Sequence, residues 1–299
     1  MSAAVRTVWL LAAALALAGP DAARAQDRKL DLLWEKFAAE LTAAERAFDG
    51  VMGIAVKDLT DGRTFQLNAD EVMPTASMIK IAVLAELFRQ NRGAELYRYD
   101  AKDGLPGDDI LARLTTGTTS LTLRDVGVLM VAVSDNSATN VLIDRLGMAR
   151  INRTLDSLGL RATRLNRRML DIGAAREGRE NLASPAEMVR LLEAIHQGRV
   201  FPAERLGEFL TILGMHKEGY LARDLPEGTP LANKPGWLEG VRTDAALGTP
   251  PGRPFAISVM TTYGPADRRA EDAIAAIGRL AYRFFERLGG SSAWGRDLR

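Results

Sequence analysis

The sequence predicts a mixed fold of two lobes: an α/β lobe, in which a five-stranded antiparallel sheet is flanked by the terminal helices, and an all-α lobe inserted between the second and third strands. Two observations carry this expectation. Strand-like alternation is concentrated toward the ends of the chain, in "GIAVKDL" and "TFQLNA" and again in "TPLANKPGW", "VRTDAALG" and "FAISVMTT". The long stretch between them, from Ser77 to about Gly214, has mainly helical spacing of its apolar residues. Helical patterns also close both ends of the chain. The simplest assembly therefore pairs early and late strands in one sheet and lays the terminal helices on one face of it.

In chain order, residues 1–25 read as an export signal. "MSAAVR" supplies a positive start, "TVWLLAAALALAG" is an apolar run too short to span a bilayer comfortably, and Ala23-Arg24-Ala25 is a small-x-small cleavage pattern. The mature chain divides into an α/β lobe of residues 26–76 and 215–299 and an all-α lobe of residues 77–214. A helix is expected from Leu30 to Phe48, closed near Gly50, followed by two strands joined by the turn "TDGR". Helices then follow in "SMIKIAVLAELFRQ", "LTLRDVGVLMVAV", "NSATNVLIDRLG" and "SPAEMVRLLEAIHQG". The last opens on Ser184 as N-cap, Pro185 at the first position and Glu187 at the third, which predicts a full capping box. "TPPGRP" turns the late strands, and a final helix runs from Asp267 to Leu288 before Gly289-Gly290.

Composition narrows the chemistry. With 39 basic and 38 acidic side chains the formal net charge is +1, so nothing points to nucleic acid or an anionic membrane surface as partner. The absence of cysteine excludes a disulfide, a lipid-attachment cysteine, a thiolate nucleophile and a thiolate metal site. Two histidines are too few for a histidine-rich metal site, and neither a metal nor another cofactor is implied. His196 in "EAIHQG" reads as a helix-end residue and His216 in "GMHKEG" as a loop residue, and there is no G-x-S-x-G nucleophile elbow.

The stretch "TASMIK" offers a different nucleophile. Ser77 and Lys80 are three residues apart, hence neighbours on a helix, and the run that follows is apolar almost all round. A hydroxyl at a helix N-terminus faces free N–H groups, and a lysine buried one turn further in has its pKa lowered by desolvation. Such an amine can accept the serine proton. The bland alternative is that Ser77 is a cap and Lys80 a snorkelling surface residue.

Two further motifs follow in order: Ser134-Asp135-Asn136 in "VSDNSATN" and Lys234-Pro235-Gly236 in "LANKPGW". With these, the chain resembles the class A β-lactamase-like family of penicillin-recognising serine hydrolases over essentially its whole mature length. The resemblance implies Ser77 as the acylated nucleophile, Lys80 as its proton partner and Ser134 as the bridge to the leaving nitrogen. It implies that the Asn136 amide holds the substrate, that Lys234 holds Ser134, and that Gly236 and Trp237 border the substrate. Backbone N–H groups of Ser77 and Trp237 would form the oxyanion hole. Asp135 is expected to be structural, as an N-cap or a buried acceptor. Arg242, in "GVRTDAALG", stands where many members keep an arginine for the substrate carboxylate; a strand-surface arginine is the alternative. The family's partner is a small molecule, a β-lactam or a peptide or acyl compound. The resemblance implies a monomer, periplasmic or secreted, free of the membrane once processed.

Two departures qualify this. Aligning Arg167 and Pro185 with the family pattern places Met169 where the family's deacylating glutamate belongs, and a thioether cannot take a proton from water. Asp171, Glu180 and Asp244 are the nearby carboxylates, each with a structural alternative. Where the family has K-[TS]-G this chain has Pro235, with neither a hydroxyl nor an N–H. The readings are a serine hydrolase with weak β-lactam turnover, a peptidase or esterase on cell-wall peptides or other small acyl substrates, and a β-lactam-binding protein without turnover.

Overall fold

A computed structural model describes residues 20–107, 109–215, 219–266 and 268–299, with side chains from residue 28. The segment read as an export signal lies outside the described residues up to position 19, and the expected cleavage near Ala25 falls in the first turns of α1 (Pro20–Arg46). The chain then runs through β1 (Val51–Asp58) and β2 (Thr64–Leu67), which pair with Ile54 opposite Leu67. β3 (Met73–Pro74) leads into α2 (Lys80–Arg89). The middle of the chain holds β4 (Leu96–Arg98), β5 (Ser120–Thr122), α3 (Leu123–Ala132), α4 (Asn136–Leu146) and α5 (Met148–Ser157). It continues with α6 (Ile172–Arg176), β6 (Leu182–Ala183), α7 (Pro185–His196) and α8 (Leu206–Leu213). β7 (Leu231–Leu238), β8 (Val241–Gly248), β9 (Phe255–Thr262) and α9 (Arg269–Gly289) close the chain.

The five long strands form one antiparallel sheet in the order β2-β1-β9-β8-β7, which brings the early and late segments together as the patterning required. One face is covered by the terminal helices. Trp34, Phe37 and Leu41 of α1 and Ile274, Ile277, Phe284 and Phe285 of α9 pack on Ile54, Val56, Ile257 and Val259. Phe37 stacks on Phe284 at 4.3 Å, and Trp34 meets it edge-on at 5.1 Å. On the other face α7 packs against β1 and β9, and the remaining helices build a second core around α2. Every residue of β8 is buried, because this central strand is covered on both sides. Likewise Lys80 to Phe88 are all buried, as expected for a helix that is apolar all round.

The central stretch is not purely helical. β3 pairs with β6 and β4 with β5, two short ladders that leave too few residues for alternation to be visible. The expected capping box at α7 is half formed. Ser184 accepts from the Glu187 N–H at 3.3 Å, but the Glu187 carboxylate turns away and accepts from the N–H groups of Arg161, Ala162 and Thr163. A buried carboxylate gains more from several donors than from its own cap, and here it ties the preceding loop to α7. The complete box belongs to α3, where Thr122 and Asp125 cap each other's N–H groups.

Candidate active site

Ser77 lies in a single 3-10 turn, Ala76–Ile79, that runs directly into α2. In a 3-10 turn residues i and i+3 eclipse, so Ser77 and Lys80 share one edge. The turn is reached through Ala76 at φ 48°, a left-handed conformation held by its surroundings. Thr75 N–H donates to Asn181 O at 2.8 Å, and Thr243 Oγ1 on β8 donates to Thr75 O at 2.8 Å. β7 presses against the same backbone: a Cβ on Gly236 would stand 2.6 Å from Thr75 O and 2.9 Å from Ser77 N. Glycine is required there by close approach of two backbones, and the Ser77 N–H stands at the seam between sheet and helix.

Around the hydroxyl the three sequence motifs converge. Ser134 Oγ donates to Ser77 Oγ at 3.0 Å. Lys80 Nζ donates to Ser134 O at 2.6 Å, Asn136 Oδ1 at 3.0 Å and Ser134 Oγ at 3.1 Å. From the other side Lys234 Nζ donates to Ser134 Oγ at 3.1 Å and to Pro235 O at 3.0 Å. Ser134, at φ 58°, is thus held in a strained conformation with its hydroxyl between two amines and the Ser77 hydroxyl. Among the described residues Lys80 hydrogen-bonds to Ser134 and Asn136, and Ser134 donates to Ser77, so the Ser134 hydroxyl bridges the pair that the sequence brings together.

Both amines are buried. Desolvation pulls the Lys80 pKa down to about 7, opposed by the negative charges of Asp109 and Asp135. Asp135 is the N-cap of α4, accepting from Ala138 N–H at 2.7 Å, and also takes Leu111 N–H at 2.8 Å. Asp109 accepts from the N–H groups of Asn136 and Ser137 at 3.0 and 2.7 Å. Asp109 was not singled out from the sequence, where "GDDIL" carries no periodic or spacing signal.

Behind Asn136, one turn along α4, Asn140 clamps the loop that carries Met169. Its Oδ1 accepts from Met169 N–H at 2.8 Å and its Nδ2 donates to Met169 O at 3.2 Å. Met169 itself is buried. The three carboxylates considered as replacement bases are engaged elsewhere. Asp171 caps α6 through Ala174 N–H, Glu180 pairs with Arg167 at 2.8 Å, and buried Asp244 accepts from Tyr220 N–H, Leu221 N–H and Asn233 Nδ2. Among the described residues none of them hydrogen-bonds to the Ser77 cluster.

Arg242 is a buried residue rather than a strand-surface one, and two of its three guanidinium nitrogens are engaged. Its Nε donates to Glu271 Oε1 at 3.0 Å, and its Nη1 donates to Leu238 O and Val241 O, both at 2.9 Å. It is 7% exposed and lies beneath the Trp237 ring at 5.2 Å, while Trp237 is 60% exposed. His196 ends α7, partly desolvated with its pKa lowered by burial, and has no bond to the cluster; His216 lies outside the described residues. No group of three or more histidine and carboxylate side chains among the described residues could hold a metal ion.

The family model described as "Beta-lactamase enzyme family" matches residues 36–285. A β-lactamase of Streptomyces fradiae is 30% identical over 284 residues, covering 89% of each chain. The solved β-lactamase of Sphaerobacter thermophilus is 31% identical with a TM-score of 0.72, covering 83% of this chain and 96% of its own. A variant of PBP-A, solved as an acyl-enzyme complex with penicillin G, is 26% identical with a TM-score of 0.73, covering 86% and 97%. The family match over residues 36–285, together with relatives of 30–31% identity aligned along most of both chains, means that this protein belongs to the β-lactamase enzyme family, among its class A-like serine hydrolases.

Proposed function

We propose that this protein is an exported serine hydrolase that forms an acyl-enzyme at Ser77, accepts β-lactams, and releases the acyl group slowly. The observation that supports it most is the position of Ser134 Oγ, 3.0 Å from Ser77 Oγ and 3.1 Å from the Nζ of both Lys80 and Lys234. As Ser77 Oγ adds to the acyl carbon, its proton passes through Ser134 to neutral Lys80. When the C–N bond breaks, the proton returns through Ser134 to the leaving nitrogen. The acyl group is then on Ser77 Oγ, and charge on the carbonyl oxygen is received by the Ser77 and Trp237 N–H groups. Water subsequently cleaves the ester, restoring the Ser77 hydroxyl and liberating an acid. That second half lacks a base where Met169 stands, which supports slow release. Export rests on the leader-like first 25 residues.

The test is intact-mass analysis of the mature protein incubated with penicillin G and with nitrocefin, with hydrolysis followed in parallel. One acyl group per chain is expected, absent from Ser77→Ala, with release slower than formation. No adduct with either compound under saturating conditions would remove the proposal's basis. An adduct that never turns over would leave a binding protein in place of a hydrolase.

A further inference from the structure

We infer that the cleft selects acyl substrates that are apolar and carry no carboxylate beside the scissile bond, and that Glu271 is the residue that sets this selectivity. The inference rests on Ser77 being the acylated nucleophile and adds the substrate class.

Three positions that could receive an anion either lack the donor or already hold another partner. Pro235, beside Lys234 on β7, has neither hydroxyl nor N–H to offer. Arg242 is held on one side by Glu271 through Nε and on the other by two backbone carbonyls through Nη1, so its charge is already paired and those donors are engaged. Glu271 is itself held at the start of α9, where Arg268 also donates to it at 3.2 Å. Lys234 is directed at Ser134 Oγ and its neighbour's carbonyl. A substrate carboxylate at Arg242 would meet a guanidinium already paired with Glu271, and would place a second negative charge beside that carboxylate where both partners are largely desolvated.

The rim points the same way. Trp237 follows Gly236, Val133 precedes Ser134, Leu170 follows Met169 and Ile110 follows Asp109, and all four side chains are exposed. Each is therefore anchored next to a residue that builds or supports the Ser77 cluster. Large apolar side chains left in water in the residues that adjoin the cluster fit an apolar acyl or leaving group.

The test compares penicillin G with its methyl ester, which differ only at the carboxylate. Acylation of the mature protein is read by intact mass, and binding of the same pair is read on Ser77→Ala. The ester is expected to react and bind about tenfold better than the acid, and Glu271→Gln, which releases the Arg242 charge, to erase that gap. Trp237→Ser is expected to narrow the preference for p-nitrophenyl octanoate over p-nitrophenyl acetate. An acid-preferring wild-type protein, or a gap untouched by Glu271→Gln, overturns the inference. Failure of the nucleophile reading looks different: no adduct from either compound, while the ester still binds Ser77→Ala better than the acid, which supports the inference on its own.

Discussion

Lys80 illustrates how one residue is made chemically useful by its surroundings. Burial favours the neutral amine, whereas Asp109 and Asp135 favour the ammonium, and the balance leaves the pKa at about 7. If Lys80 is the base of acylation, the rate of Ser77 acylation rises with pH and levels off above 7, following the neutral fraction. Asp109→Asn removes one of the two charges that hold the proton, so the inflection moves to lower pH. A purely structural role for Asp109 would change the rate at all pH values without moving the inflection; stopped-flow acylation between pH 5 and 9 distinguishes the two. At Gly236 the effect is steric. Ala there brings a Cβ within 2.6 Å of Thr75 O and 2.9 Å of Ser77 N, neither of which can swing aside as a side chain would. Gly236→Ala is expected to cost about 1–3 kcal/mol in urea unfolding, together with a much larger loss of acylation than of stability, because the strand shifts against the Ser77 N–H. The serine, the lysine and the asparagine of this site were legible because each belongs to a short motif. Asp109 and Glu271 were not, because each acts through a contact between segments far apart in the chain.

At the scale of an element, the loop between α5 and α7 carries Met169, the position on which the proposed slow release rests. Its position is fixed by Asn140, whose amide satisfies both the N–H and the C=O of Met169. The sequence marks Met169 as a departure but says nothing of this clamp, since an asparagine inside "SATNVLIDRLG" looks like any polar residue on a helix. With the backbone held, a substitution changes the chemistry without changing the loop. Met169→Glu is therefore expected to speed release of the acyl group by about a hundredfold or more, the low end of what a positioned general base contributes, measured as decay of the adduct by intact mass. Asn140→Leu should abolish that gain while costing about 1–3 kcal/mol, since two buried backbone groups lose their partner. If Met169→Glu releases no faster with the Asn140 clamp intact, position 169 is not where water is activated.

The whole molecule places two lysines in a dry seam between the sheet and the helical layer, and for Lys80 that has a thermodynamic cost that depends on pH. The two-layer plan was visible in the pattern of strands at the ends and helices between. The seam was not, because burial of Lys80 and Lys234 arises only when β7, α2 and α4 meet. In the unfolded chain Lys80 titrates at its ordinary 10.5, and in the folded chain at about 7. Below pH 7 both states carry the proton and the full cost of a buried ammonium is present. Between the two values the folded protein holds the neutral amine while the unfolded chain still binds the proton. Stability therefore rises with pH, by about 1.4 kcal/mol per unit from this residue alone. Above the unfolded value the cost is gone. Tyr97, raised by burial and by Asp103, acts oppositely only where free phenols ionise, near pH 10 and beyond. The window from pH 7 to 9 thus lies clear of the tyrosine, and comparison with a Lys80 variant separates the Lys80 contribution within it. Urea unfolding across it should show the wild-type protein gaining stability relative to Lys80→Met, whose own slope lacks this contribution. The comparison is of slopes, so the polar partners that Lys80→Met leaves unsatisfied do not affect it. Parallel slopes would mean that Lys80 keeps its proton in the folded protein throughout this range, and that a neutral amine is not what receives the proton of Ser77.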